Sequence, residues 1–363
     1  MKIVQVLNTF TKGDAIGNYA LAVRELLRSA GYDSEIFTES FYVDTEDTGV
    51  KQIFTLPELQ EDDILIYHLS ITVRLFLDLR ETCCKKIAIY HNITPYEYFA
   101  DCSNFSFTLS RDGLLDVKCL ANTFDYCIAV STYNKESLLG FNYKCPIDVL
   151  PIIIPFGDYE QEPSKALIEK YGDGKHGDGG TNIIFVGRVV PNKKQEDAIA
   201  AFSCYKKYYD PGARLFIVGS SLNMDAYKSR LDNYIDANNI KDVIFTGKIP
   251  FDELLAYYHI ADVFLCMSEH EGFCVPLLEA MFFDVPVIAY ASTAVPETLG
   301  GAGVLLYEKN PLQTAGFIDK LVSDKKLRDD VIAGQRQRLK DYSYDTLSKR
   351  FLKLIQDFQG RQI

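Results

Sequence analysis

The sequence predicts an α/β protein of two domains, each built on a mostly parallel sheet. Short apolar runs rich in β-branched residues alternate with longer helical patterns, the signature of βαβ units. The alternation runs through the chain twice. At 363 residues the chain exceeds the roughly 250–300 residues at which a single core stops growing, and 47% hydrophobic residues supply enough apolar material for two cores.

In the first half the runs predict strands over 3–7, 35–38, 64–67, 87–90, 126–130 and 148–150. A helix over 17–30 is expected, because Tyr19, Val23, Leu26 and Leu27 then share one face. Pro151, Pro155 and Pro163 punctuate the chain, so the boundary is placed there: a first domain over 1–154 and a second over 155–340. The Gly-rich residues 172–180 precede a strand and open no helix, so they are read as a flexible loop in preference to a phosphate loop or other ligand cradle. The second half predicts strands over 183–186, 215–218, 243–246, 263–266, 287–290 and 303–306, with a helix over 196–205. The last stretch, about 341–363, reads as an amphipathic helix with Leu347, Phe351 and Leu354 on one stripe, suited to packing back on the first domain.

Charge and cysteine usage exclude several classes. Lys+Arg 38 against Asp+Glu 50 gives a net charge of -12, which repels nucleic acid, so no nucleic-acid partner is expected. The start runs directly into a strand pattern without the apolar core and cleavage site of a signal peptide. No apolar run approaches the roughly 20 residues that span a bilayer. A cytoplasmic location is expected. Nine cysteines lie scattered without paired metal spacing, and Cys83 and Cys84 are adjacent, so packing thiols in a reducing compartment are expected in place of disulfides.

The most informative segment is 268–281. After an apolar strand comes a loop with Glu271 and Gly272, then Pro276 in what reads as the first turn of a helix, where its missing N–H does no harm. The N–H groups and positive dipole end of that helix favour an anionic or hydroxyl-rich ligand. Glu271 in the loop and Glu279 in the helix are placed to accept hydrogen bonds from two separate hydroxyl clusters. A second constellation ends the strand over 183–186: Gly187, Arg188 and Lys193 put two cations where they can neutralise a diphosphate. In the first domain Gly17 opens a helix after a loop and permits close approach of backbone to a ligand. His91 and His68 each follow a strand on the side of an α/β sheet where ligands bind, with ordinary structural roles as the alternative for both.

These residues resemble the family-4 retaining glycosyltransferases, whose GT-B architecture sets two Rossmann-like domains facing each other across a cleft. The most specific match is Glu271, seven residues, Glu279. It is supported by Gly187, Arg188 and Lys193, the Gly17 helix start, His91 after its strand, and residues 295–298. The resemblance implies that Arg188 and Lys193 bind the donor diphosphate and stabilise its departing charge. It implies that Glu279 holds the ribose, and that Glu271 with the N–H groups of Phe273, Cys274 and Val275 holds the donor sugar. His91 is implied to contact the sugar near the reacting carbon, and Ile249, after Gly247 and Lys248, to meet the nucleobase through its backbone. The implied substrates are a nucleotide-diphosphate sugar and a glycan, lipid-linked or small-molecule acceptor, with peripheral contact at the inner face of a membrane for some acceptors.

No cofactor and no metal are expected, because fixed cations stabilise the leaving group and no Asp-x-Asp stands at a strand end. Three positions depart from the family pattern: Cys274 stands where many relatives have Gly, Gly17-Asn18 replaces a two-Gly turn, and Tyr344 replaces a Trp whose packing role it is expected to take. A nucleotide-sugar epimerase of the same fold and a non-catalytic nucleotide-sugar-binding protein are the competing readings.

Overall fold

The computed structural model describes residues 1–11, 13–41, 48–71, 81–172 and 180–360. The chain divides into two compact units. The first comprises Met1–Tyr96, Thr108–Pro155 and the chain from Tyr342 on; the second comprises Glu97–Phe107 and Phe156–Asp341.

The first unit begins with β1 (Lys2–Phe10), α1 (Ala15–Ser29), β2 (Asp33–Phe41), β3 (Lys51–Gln52), β4 (Ile64–Leu69) and β5 (Lys85–Tyr90). It continues with α2 (Asn104–Cys119), whose first turn lies in the second unit, then β6 (Tyr126–Ala129), α3 (Thr132–Gly140) and β7 (Ile147–Val149). The sheet order is β3-β2-β1-β4-β5-β6-β7 and every pairing is parallel. Strands covered on both faces read as continuous apolar runs, which is why Ile64–Leu69 is buried throughout. The α1 stripe of Tyr19, Val23, Leu26 and Leu27 is buried as its spacing predicts. The helix starts at Ala15, ahead of Gly17. A Cβ on Gly17 would stand 2.5 Å from the Thr11 carbonyl oxygen, so the glycine lets the first turn lie against the loop leaving β1.

The second unit contains α4 (Lys165–Tyr171), β8 (Asn182–Val186), α5 (Gln195–Tyr208), β9 (Arg214–Val218), α6 (Asp225–Ala237), β10 (Val243–Gly247) and α7 (Phe251–Ile260). Then come β11 (Val263–Cys266), α8 (Val275–Phe282), β12 (Val287–Tyr290), α9 (Val295–Leu299), β13 (Val304–Leu306), α10 (Pro311–Ser323) and α11 (Lys325–Leu339). Its order is β10-β9-β8-β11-β12-β13, again all parallel. The last helix, α12 (Tyr344–Gln359), belongs to the first unit, where Phe358 stacks on Tyr126 with ring centroids 5.6 Å apart and Arg350 donates to the Val149 carbonyl at 2.9 Å.

Several expectations need correction. Glu97–Phe107, placed in the first domain by the proline boundary, clusters with the second, because Phe99 is buried in a core with Ile183, Phe185 and Phe202. The apolar stripe of α12 runs through Leu347, Phe351, Ile355 and Phe358, and Leu354 is only half-buried. Tyr344 is 39% exposed and does not take the packing role of the tryptophan it replaces. The edge strand β3, at two residues, is too short to show a period. The expected loop over 172–180 lies outside the described residues from 173 to 179. Among the described residues no helix is long and apolar enough to cross a membrane.

Candidate functional site

In each sheet the winding direction reverses once, between β1 and β4 in the first unit and between β8 and β11 in the second. Loops leaving the carboxyl ends of strands diverge at such a switch point, which is where doubly wound sheets take up ligands. Gly17, His68, Gly187, Arg188, Lys193 and Glu271 lie on or just beyond the strands that form these two places, whereas His91 follows β5, one strand further on, and Ile249 follows the edge strand β10.

In the second unit Gly187 directly follows β8 with φ 146°, and a Cβ there would come within 3.3 Å of Lys193 Cδ, so the lysine stem lies against the glycine. Lys193 Nζ donates to Glu271 Oε1 at 2.6 Å. The two side chains are 17% and 10% exposed. Burial alone would lower the ammonium pKa; the carboxylate of Glu271 outweighs it and holds Lys193 above the usual lysine range. The two loops are pinned together elsewhere: Asn192 Nδ2 donates to the His270 carbonyl at 3.0 Å, and Glu269 N donates to the Asn192 carbonyl at 2.8 Å. Thr293 Oγ1 accepts from Glu271 N and donates to the Glu271 carbonyl, both at 2.8 Å.

Past Glu271 the chain passes half-buried Gly272 and buried Phe273, whose carbonyl accepts from Thr298 Oγ1 at 2.6 Å. Cys274 caps α8 in the left-handed conformation, φ 73° and ψ 65°, which glycine adopts without strain. Val275 then opens α8, with Pro276 in its first turn. Glu279, further along α8, is 7% exposed. Its Oε1 accepts from Tyr159 OH and its Oε2 from Tyr258 OH, each at 2.6 Å. Burial raises its carboxyl pKa, and the two phenols offset only part of that rise. Both glutamates, expected to face hydroxyls of a ligand, therefore also have an internal partner, as does Lys193. Arg188 is exposed just beyond Gly187, and its carbonyl accepts from Gln195 Nε2 at 2.9 Å. Ile249 is half-buried in the loop after β10, the edge strand, two positions past Gly247 with its φ of 72°.

One grouping escaped the sequence. Cys266 at the end of β11 and Cys274 at the start of α8 bring their sulfurs to 4.0 Å, and with the Glu271 carboxylate the three sets of ligating atoms lie within 4.8 Å of one another. The cysteines are separated along the chain by a strand end, a loop and a left-handed turn, so no spacing rule joins them.

In the first unit a chain of hydrogen bonds assigns protons. Gln5, inside β1, donates from Nε2 to the Ala20 carbonyl at 3.1 Å, which turns its Oε1 toward His68 Nε2 at 2.9 Å. His68 Nε2 therefore carries the proton, its Nδ1 is bare, and that atom accepts from His91 Nε2 at 2.9 Å. The proton on His91 is thus spent on His68. His91 Nδ1 is left as a buried lone pair with no partner among the described residues. The imidazoles stack at 5.2 Å with Tyr19 edge-on to both. Burial lowers His91 to about 3, and burial together with His91 pushes His68 well below the usual histidine value. Gln5 was legible as a lone polar residue within an apolar run; Tyr19 reads from sequence as core alone.

Two doubly wound, all-parallel sheets in one chain, of seven and six strands, are the GT-B fold among two-domain α/β proteins. Residues 170–338, most of the second unit, match the family Glycosyl transferases group 1. An uncharacterized glycosyltransferase of Methanocaldococcus jannaschii is 29% identical over 185 residues, 49% of this chain and 46% of the relative. The GDP-mannose-dependent alpha-(1-6)-phosphatidylinositol monomannoside mannosyltransferase of Mycobacterium tuberculosis is 26% identical over 247 residues, 64% of this chain and 61% of the relative. The chain thus spans between 46% and 61% of the length of these relatives. Among solved structures, Anabaena HepE in complex with UDP and glucose superposes with a TM-score of 0.76 at 16% identity, covering 98% of this chain and all of that one.

Proposed function

We propose that the chain is a retaining glycosyltransferase of the family-4 type, transferring a sugar from a nucleotide-diphosphate sugar to a hydroxyl acceptor without a metal, in glycan or polysaccharide biosynthesis. The observation that carries this reading is the Lys193–Glu271 pair, 2.6 Å apart at the switch point of the unit that matches the group 1 glycosyl transferases. Breaking a sugar–phosphate bond develops negative charge on the leaving diphosphate, and a fixed ammonium in a water-poor site stabilises that charge without reorganising. Lys193 and Arg188 take this role. An ammonium has three N–H donors, and Glu271 occupies one in the resting site.

Glu271, with Gly272 and the N–H groups of Phe273, Cys274 and Val275, receives the sugar hydroxyls. Glu279 receives the ribose, Ile249 meets the base, and Gly17 brings the α1 start close to the ligand. His91 offers its bare Nδ1 to a sugar hydroxyl near the reacting carbon. Retention follows from same-face attack, with the leaving phosphate accepting the acceptor's proton. Resemblance to a GDP-mannose-dependent enzyme and to a protein crystallised with UDP and glucose makes these two kinds of donor the first to test. The phosphatidylinositol monomannoside in the mycobacterial relative's name supports a lipid-linked acceptor; the proposal places its encounter with the chain in the cytoplasm, at the inner membrane face.

The test is product analysis with a panel of nucleotide sugars. Free nucleotide released only when an acceptor is present, with a new α- or β-glycoside of the donor's own configuration, is the expected result. A new nucleotide sugar formed without acceptor would establish the epimerase in its place. Tight binding without turnover across acceptors would establish a sensor.

A further inference from the structure

We propose that Cys266, Cys274 and Glu271 form a binding site for a thiophilic divalent cation, zinc being the biological candidate, and that the cation competes with the nucleotide sugar. The competition rests on the reading of this crevice as the donor site; the binding does not.

Tetrahedral zinc with two thiolate ligands at about 2.3 Å holds its sulfurs about 3.8 Å apart, and Cys266 Sγ and Cys274 Sγ already stand 4.0 Å apart. The Glu271 carboxylate joins them with all ligating atoms within 4.8 Å, so the sulfurs need to close by only a few tenths of an ångström and the carboxylate by at most about an ångström, within the reach of side-chain rotation. All three residues are buried, at 2%, 7% and 8% exposure, which removes competing water. Their carriers are rigid: Cys266 ends a strand in the middle of the sheet, Cys274 is locked in a left-handed cap, and Glu271 is tied by its own N–H and carbonyl to Thr293.

Charge closes as well. Two thiolates and one carboxylate are balanced by the Lys193 ammonium and one divalent cation, so the filled site is neutral. Lys193 engages Glu271 Oε1 and leaves Oε2 for the cation. Ser268 Oγ accepts from Cys266 Sγ at 3.4 Å, a contact that a thiolate can keep by becoming the acceptor. Soft sulfur ligands select zinc or cadmium over magnesium and calcium. The cation would tie down Glu271, the residue assigned to the sugar hydroxyls, and would place positive charge beside Lys193.

The experiment titrates cadmium, as a spectroscopic stand-in for zinc, into the reduced, metal-free full chain. The expected result is one equivalent bound, with a cadmium–thiolate charge-transfer band in the ultraviolet, and at least tenfold weaker binding with loss of the band in Cys266→Ser. Cys274→Gly, a residue suited to the left-handed position, should give the same loss if Cys266→Ser does not fold. Wild-type affinity in either folded variant, or binding without the thiolate band, would overturn the site. Zinc should raise the donor KM of the wild-type chain and leave the folded Cys266→Ser enzyme, which keeps its metal-free turnover, unaffected. If the band appears and zinc leaves the donor KM unchanged, the cation site stands and both the competition and the placement of the donor fall.

Discussion

Acidification from pH 7 to pH 5 loads the imidazole stack of the first unit in a calculable way. Burial lowers the folded pKa of His91 to about 3, against about 6.5 in an unfolded chain. A base whose folded value lies below its unfolded value binds fewer protons when folded, so the native state is undisturbed above 6.5 and loses stability as the pH falls from there toward 3. At pH 5 the unfolded imidazole is charged and the folded one is not, a separation of about 1.5 pH units at about 1.4 kcal/mol each, or about 2 kcal/mol from His91 alone. His68, lowered in the same direction, adds to the fall. His91→Asn keeps an amide donor for His68 Nδ1 and cannot titrate. Urea unfolding followed by far-ultraviolet circular dichroism should show the wild-type chain losing stability between the two pH values, with about 2 kcal/mol of that loss absent in the variant. An identical fall in both proteins would mean that His91 is not held neutral, and the assignment of a bare Nδ1 would go with it.

Other perturbations separate the site from its scaffold. Lys193→Met should cost on the order of 3 kcal/mol of transition-state stabilisation, roughly a 150-fold drop in kcat/KM, in a chain that still folds; wild-type turnover would remove the diphosphate assignment. Gly17→Ala forces a Cβ to within 2.5 Å of the Thr11 carbonyl oxygen and should destabilise the first unit by about 1–3 kcal/mol, read as a lowered Tm; an unchanged Tm would show that the loop yields freely. Tyr258→Phe removes one of the two donors to the buried Glu279 carboxylate and should cost about 1–3 kcal/mol. Because the folded Glu279 pKa is raised, the native state loses stability as pH rises through the unfolded value and beyond it to the folded one. The Tyr258→Phe penalty should therefore be larger at pH 7 than at pH 4, and equal penalties would contradict an ionised Glu279.

What the sequence revealed and what it hid follow from the range of the forces involved. The strand over Val263–Cys266 is legible to the residue because its apolar run stops abruptly, between Asp262 and the loop toward Glu271. The strand-to-loop positions of Gly187, His91 and Glu271 are legible for the same reason, since a strand end in a parallel sheet fixes which side a loop leaves. Pairings are different. Lys193 meets Glu271 across 78 positions and Glu279 meets Tyr159 across 120, and nothing local marks either partner for the other. The same holds for Glu97–Phe107, which follows the pull of a distant core on Phe99 and not the prolines that punctuate the chain.

These long-range pairings bear on the chemistry. A buried cation with no partner would have to be neutralised or solvated until ligand arrived, and binding would then include the cost of rearranging it. Lys193 instead sits beside Glu271 with two further N–H donors, so under the proposed function it would receive a diphosphate without breaking the pair. Each Glu279 oxygen likewise accepts one phenol at 2.6 Å and keeps a second lone pair, which under the proposed function would take a ribose hydroxyl. Partners that hold charged groups in place before a ligand arrives move the cost of organisation into folding, and under the proposed function they would leave the reaction step with dipoles already aimed. The double variant Lys193→Met with Glu271→Gln separates the two contributions. It should recover most of the fold stability lost in Lys193→Met, because no buried carboxylate is left without its cation, and it should recover none of the turnover. Recovery of turnover along with stability would mean that the pair serves the scaffold alone.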